Sequence, residues 1–140
     1  MTEPARRPPR ERLSLWAPVA LLLAVETWLS GRPQLPSLPI ALPAADKLAH
    51  LVYFFVTGAA AARAARLGEG WSRKRTSLTL LPAALAYGLL DEAHQSLVGR
   101  TVEALDVAAD VAGVALATTL PDALLRRQPG SGPRRGPRAN

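Results

Sequence analysis

The chain predicts an all-α integral membrane protein, a bundle of four transmembrane helices, and three features of its 140 residues carry that expectation. Four stretches are nearly free of charge: Leu13 to Ser30, Leu48 to Ala62, Thr76 to Leu90 and Ala104 to Leu120. The charged residues, 20% of the total, are heaped at the two ends and in one central loop. The polar residues that do interrupt the apolar runs gather at the ends that alternating passages would bring to one side of a bilayer. A hydrophobic content of 49% would suit a soluble domain, but this distribution does not.

The first twelve residues, with Arg6, Arg7, Arg10 and Arg12 among prolines, read as a basic lead-in on the cytoplasmic side. Residues 13–30 follow as the first helix, within the roughly 17–25 residues that cross a bilayer. A cleaved signal peptide would share this pattern, but no small-x-small site follows and Glu26 interrupts the run, so an uncleaved helix is expected. From Gly31 to Ala45 the prolines at 33, 36, 39 and 43 forbid a regular helix and favour extended geometry over the outer mouth of the bundle.

The second helix, about 47–66, opens at Asp46-Lys47, where an N-cap is one reading of Asp46. Asp46 and His50 are four apart and share a face. Gly58 and the alanines after it permit close helix contact. The block Arg63, Arg66, Arg73, Lys74 and Arg75 surrounds the turn glycines Gly68 and Gly70, with Trp71 suited to a membrane interface. The third helix, about 76–98, holds Pro82, which either starts or kinks it, and ends in GLLDEAHQSLVGR, Gly88 to Arg100. Asp91 there shares a face with His94 or Gln95. The fourth, about 103–120, sets Asp106, Asp110 and Gly113 on one stripe, the glycine leaving room for a neighbouring backbone. The helical domain thus covers 13–121, and 122–140 reads as a basic tail with too few apolar residues to fold.

Charge fixes the expected orientation. Fourteen of the 17 Lys and Arg residues fall on the side of the termini and central loop, against Arg32, Lys47 and Arg100 on the other. The positive-inside rule then places both termini in the cytoplasm. Glu26, Asp46, Asp91, Glu92, Glu103, Asp106 and Asp110 divide the opposite way. The absence of cysteine excludes a thiol nucleophile, a disulfide framework and a cysteine metal site. A pI near 11 raises nucleic acid, but no aromatic-rich basic patch accompanies the arginines.

Asp46, Lys47 and His50 (DK-x-x-H), Asp91, Glu92, His94 and Gln95 (DE-x-HQ), Gly99-Arg100, and Asp106, Asp110 and Gly113 (D-x-x-x-D-x-x-G) together resemble the VanZ-like membrane protein family in order and spacing, over residues 13 to 120. The WLSGRP at Trp28 to Pro33 is similar to that family's first-helix ending. One departure stands out: Asp110 occupies a position where the family pattern has asparagine. The resemblance implies a multi-pass protein of the bacterial plasma membrane, in a family linked to resistance to the glycopeptide teicoplanin, and it supplies no reaction.

From the groups themselves, His50 or His94, oriented by Asp46 or Asp91, could serve as general base or nucleophile. Arg100 and Lys47 would hold an anionic headgroup, such as that of a polyprenyl phosphate or a cell-wall lipid precursor, with Glu92, Gln95, Asp106 and Asp110 completing the site. Glu92 and Glu103 are the members of the cluster expected to face solvent. Two other readings stay open: a zinc or manganese site from His50, His94 and two of Asp46, Asp91, Asp106 and Asp110, and a structural role in which pairs such as Arg100 with Asp106 and His94 with Asp91 lock helix register.

Overall fold

In a computed structural model, residues 7–32 and 44–126 are described; the first six residues, the proline-rich stretch 33–43 and the tail from 127, each given an expectation above, lie outside them. The protein is helical, with no strand among the described residues. Helix α1 spans Pro9–Ser30, α2 Ala45–Arg63, α3 Arg73–Leu97, α4 Ala104–Thr118, and the short α5 Asp122–Leu125.

Helix α1 starts four residues ahead of the expected Leu13, because Pro9 occupies the first helical position, where its missing N–H costs nothing. Helix α2 starts after Ala44, which takes a left-handed conformation (φ 60°), so Asp46 lies inside the first turn and does not cap the helix. At its other end α2 widens into a π-helical turn, Ala64–Gly68, closed by Gly70 at φ 72°. Ser72 caps α3 by accepting from Arg75 N at 3.2 Å, which removes the possibility that Pro82 begins the helix.

Helices α2 and α4 form the spine and run parallel. Lys47 meets Glu103 and Asp106, His50 meets Asp110, and Gly58 meets Val114. Two glycines let the backbones approach: a Cβ on Gly113 would stand 2.4 Å from Leu51 O, and one on Gly58 would stand 2.9 Å from Val114 Cα. Ala62, Ala65 and Ala117 are fully buried along the same seam. Helix α3 packs antiparallel on α4 through Gly88, against Val107 and Asp110. Helix α1 is tied on by tyrosines: Tyr53 Oη donates to Leu22 O at 2.6 Å, and Tyr87 Oη to Leu23 O at 3.1 Å.

Large leucines are exposed while several acidic side chains are buried beside the apolar core. Leu13, Leu21, Leu78, Leu90 and Leu105 are each at least 65% exposed, whereas Asp91, Glu92, Gln95, Asp106 and Asp110 are buried. Two helices, Pro9–Ser30 and Ala45–Gly68, are long and apolar enough to cross a membrane. Helix α4 has 15 residues, a rise of about 22 Å at ~1.5 Å per residue.

Candidate functional site

The spine, α3 and the end of α1 bring the acidic residues to one end of the bundle. At the outermost level Lys47 sits among three carboxylates: Asp46 at 2.6 Å, Asp106 at 2.9 Å, and Glu103 in a short contact. The ammonium is therefore engaged and does not project toward a ligand as expected. The ligand atoms of Asp46, Glu103 and Asp106 lie within 4.8 Å of one another, a cation-binding geometry that Lys47 itself fills.

One turn deeper, His50 Nδ1 lies 2.9 Å from an oxygen of buried Asp110, and Nε2 lies 3.9 Å from Asp106. This corrects the expected pairing, since the orienting carboxylate of His50 is Asp110 across the helix interface. Asp46, on the same helix, is turned to Lys47. On α3, Asp91 accepts from Gln95 Nε2 at 2.7 Å, so it does not orient His94. His94 points to the end of α1, its Cε1 3.3 Å from where a Gly31 Cβ would be, and its buried Nδ1 has no hydrogen-bond partner among the described residues.

Glu92, expected at the solvent face, is 4% exposed. Its Oε2 accepts the backbone N–H of Glu103 at 2.7 Å, placing a carboxylate at the start of α4, where the helix dipole favours negative charge. Glu103, also expected in solvent, is a partner of Lys47. Arg100 forms no ion pair among the described residues, so neither the Arg100–Asp106 nor the His94–Asp91 pair is observed. Glu26 brings α1 into the cluster: it lies within electrostatic reach of His50, Asp91, Asp110 and Arg100. At the rim, the Arg32 guanidinium stacks 3.8 Å over Trp28.

Two groups at the opposite end were hidden in the basic block. Arg66, buried within the π-helical turn, donates to Leu120 O at 2.6 Å, to Thr118 O and to Asp122 at 3.1 Å, closing off the C-terminus of α4. Arg63 Nε donates to Leu125 O at 2.9 Å. Spacing gives no signal for such long-range caps. The half-buried tyrosine hydroxyls offered one, because a phenol in an apolar run must find an acceptor.

The arrangement can do two things chemically. The His50–Asp110 pair holds one imidazole tautomer beside a second carboxylate, as a proton-handling pair requires. Among the described residues, His94 Nδ1 has no hydrogen-bond partner and the Arg100 guanidinium forms no ion pair. No family model, curated protein or solved structure matches the chain.

Proposed function

We propose that this is a VanZ-like, four-span protein of the bacterial plasma membrane. Its outer polar cluster binds the headgroup of an anionic envelope lipid, such as a polyprenyl phosphate or a cell-wall precursor built on one. The observation that carries this reading is the buried His94 Nδ1, without a hydrogen-bond partner among the described residues, together with the half-buried Arg100 guanidinium, without an ion pair among them, at the same end of the bundle as a buried carboxylate cluster. A buried ring nitrogen without a partner costs about 1–3 kcal/mol, a cost that a bound headgroup would remove.

Arg100 takes the phosphate through its planar fork. Carboxylates outnumber cations at this end, so a bare anion is a poor fit. A headgroup that also carries hydroxyl or amide donors satisfies both charge types, as a phosphate-linked sugar does. Asp91, Glu26 and the His50–Asp110 pair then accept from those donors.

Membrane insertion is supported by the exposed leucines and by indole rings at both ends, Trp28 at the acidic end and Trp16 with Trp71 at the basic one. In this reading α3 and α4 join the two longer apolar helices as spans. The shortfall of α4 from the ~30 Å hydrocarbon layer is tolerable because it packs along α2 and its lower end is capped by Arg66. The positive-inside asymmetry supports cytoplasmic termini.

The test is the lipid retained after purification in native bilayer particles. A phosphate-bearing lipid enriched over the bulk membrane, and lost in Arg100→Ala and His94→Ala at normal protein accumulation, is the expected outcome. A lipid profile equal to the bulk membrane overturns the reading. Teicoplanin susceptibility of cells carrying the same variants is the phenotype the family resemblance names.

A second reading has its own observation. Lys47 with three carboxylates, and His50 with Asp110, clamp α2 to α4. If the cluster only locks the bundle, Lys47→Gln and His50→Ala abolish accumulation, and Arg100→Ala changes nothing.

A further inference from the structure

Three Lys or Arg residues stand at the acidic end among the described residues: Arg32, Lys47 and Arg100. Lys47 is spent on Asp46, Glu103 and Asp106. The remaining ion pairs of the described residues use Arg7, Arg12, His50 and Arg66, so neither arginine at this end enters one. Arg32 is nonetheless held in place. Its guanidinium lies 3.8 Å over the ring of Trp28, one turn earlier on α1, and its backbone N–H donates to Leu29 O at 3.0 Å. Stacking engages the flat face of a guanidinium and leaves its N–H edge for an anion. Trp28 is 60% exposed, as suits a ring at the headgroup level of a bilayer.

The two arginines flank His94. Gly31, the residue before Arg32, is where the His94 ring meets α1, its Cε1 3.3 Å from the Gly31 Cβ position. On the other side Arg100 N donates to Gln95 O at 3.1 Å, which returns the chain to the last turn of α3 at the residue after His94. The Arg100 guanidinium is within electrostatic reach of Glu26 on α1, the helix whose end carries Arg32.

One phosphate accounts for His94 and Arg100 and leaves Arg32 without a role. A diphosphate esterified at both ends carries one negative charge on each phosphate, one for each guanidinium, and its bridging oxygen keeps the two adjacent. We infer that the acidic end is a diphosphate site, in which Arg100 and His94 hold one phosphate of a lipid-linked diphosphate and Arg32, presented by Trp28, holds the other. This rests on the headgroup reading above and narrows its ligand to a lipid whose chain and sugar are joined through two phosphates. Trp28 is a positioning residue in this site, acting through Arg32.

The test uses the full chain in phosphatidylcholine bilayer particles and two labelled probes, an isoprenyl chain joined to N-acetylglucosamine through one phosphate or through two. The wild type should bind the diphosphate probe about tenfold more tightly, the effect of one charge-assisted contact. Arg32→Gln and Trp28→Leu should each bring the two probes level. Trp28→Phe, which keeps an aromatic face, should retain the preference, and Arg32→Lys, which keeps charge without the planar fork, should not restore it.

Equal affinity of the wild type for both probes, or a preference that survives Arg32→Gln and Trp28→Leu, overturns the diphosphate site. A preference fully restored by Arg32→Lys overturns the role given to the stacked guanidinium. Inorganic diphosphate that displaces the lipid probe at equal concentration would assign the site to a soluble ligand and overturn the lipid-linked one. Arg100→Ala separates this inference from the headgroup reading. If that variant binds the monophosphate probe as the wild type does while Arg32→Gln still abolishes the preference, the phosphate contact at Arg100 fails and the contact at Arg32 stands. If Arg100→Ala loses both probes and the wild type does not discriminate between them, the headgroup reading stands and the diphosphate site fails.

Discussion

His50 is held between two acids that are not equivalent. Asp110 is buried and within hydrogen-bonding distance of Nδ1, at 2.9 Å, while Asp106 lies 3.9 Å from Nε2 and is also paired with Lys47. What Asp110 contributes can be divided into an acceptor and a charge. Asp110→Asn keeps a carbonyl acceptor for Nδ1–H and should accumulate normally, whereas Asp110→Leu leaves the N–H of a half-buried imidazole unpaired. It should lower stability by about 1–3 kcal/mol, read as the unfolding midpoint of purified protein. Equal loss in both variants would mean that charge, not the hydrogen bond, secures the pair. Lys47 should also outrank Arg100 in a stability scan. Lys47→Gln leaves Asp46, Glu103 and Asp106 facing one another without their cation, while Arg100→Gln breaks no ion pair among the described residues. A larger drop in unfolding temperature for Arg100→Gln would contradict that order.

The helices as units depend on the α2–α4 seam. A Cβ at Gly113 would press on Leu51 O and, at 2.7 Å, on Phe55 N, both backbone atoms that cannot swing aside. Overpacking of this kind costs typically ~1–3 kcal/mol, more than the up to ~1 kcal/mol that alanine gains over glycine in helix propensity. Gly113→Ala should therefore be net destabilising in thermal unfolding; a rise in the midpoint would show that the seam can open. Arg66→Met should be worse, because it strips the charged donor from Leu120 O, Thr118 O and Asp122, with each lost charge-assisted bond worth ~1.5–3 kcal/mol. The loss should appear as faster proteolysis near residues 118–126. Helical elements were legible in the sequence because uninterrupted apolar runs leave few alternatives for the backbone. The approach of Gly58 and Gly113 to a neighbouring backbone was legible for a similar reason, since small residues on a helix face have little other use. Partner choice was not legible. Whether His50 meets Asp46 or Asp110 depends on the relative rotation of α2 and α4, and helical spacing along one chain says nothing of it. Glu92 was misjudged on the same ground: its angular offset from Asp91 points it away from one partner, but the chain returning into α4 brings Glu103 N–H to meet it.

At the scale of the whole molecule, contacts sort the helix ends into two groups. Arg7 N donates to Gly68 O at 3.0 Å, Arg12 pairs with Glu69, and Arg66 caps α4, so the start of α1, the end of α2 and the end of α4 share one end. Asp46, His94 and Glu103 share the other, and Lys and Arg are concentrated at the first end while Asp and Glu are concentrated at the second. If the bundle crosses a membrane, a protein of this charge asymmetry inserts with the basic end inside. The chain has no cysteine, so a single introduced thiol reports its own side without a background to remove. Lys74 at the basic end and Thr101 at the acidic end are both exposed, which suits them to labelling in either orientation. With an impermeant maleimide on intact cells, Thr101→Cys should label and Lys74→Cys should label only after the membrane is permeabilised. The reverse pattern would invert the orientation and turn the polar cluster toward the cytoplasm, where the proposed lipid would have to be sought in the inner leaflet. Equal labelling of both thiols in intact cells would mean that the helices do not cross at all, and the exposed leucines would then need a protein partner in place of hydrocarbon.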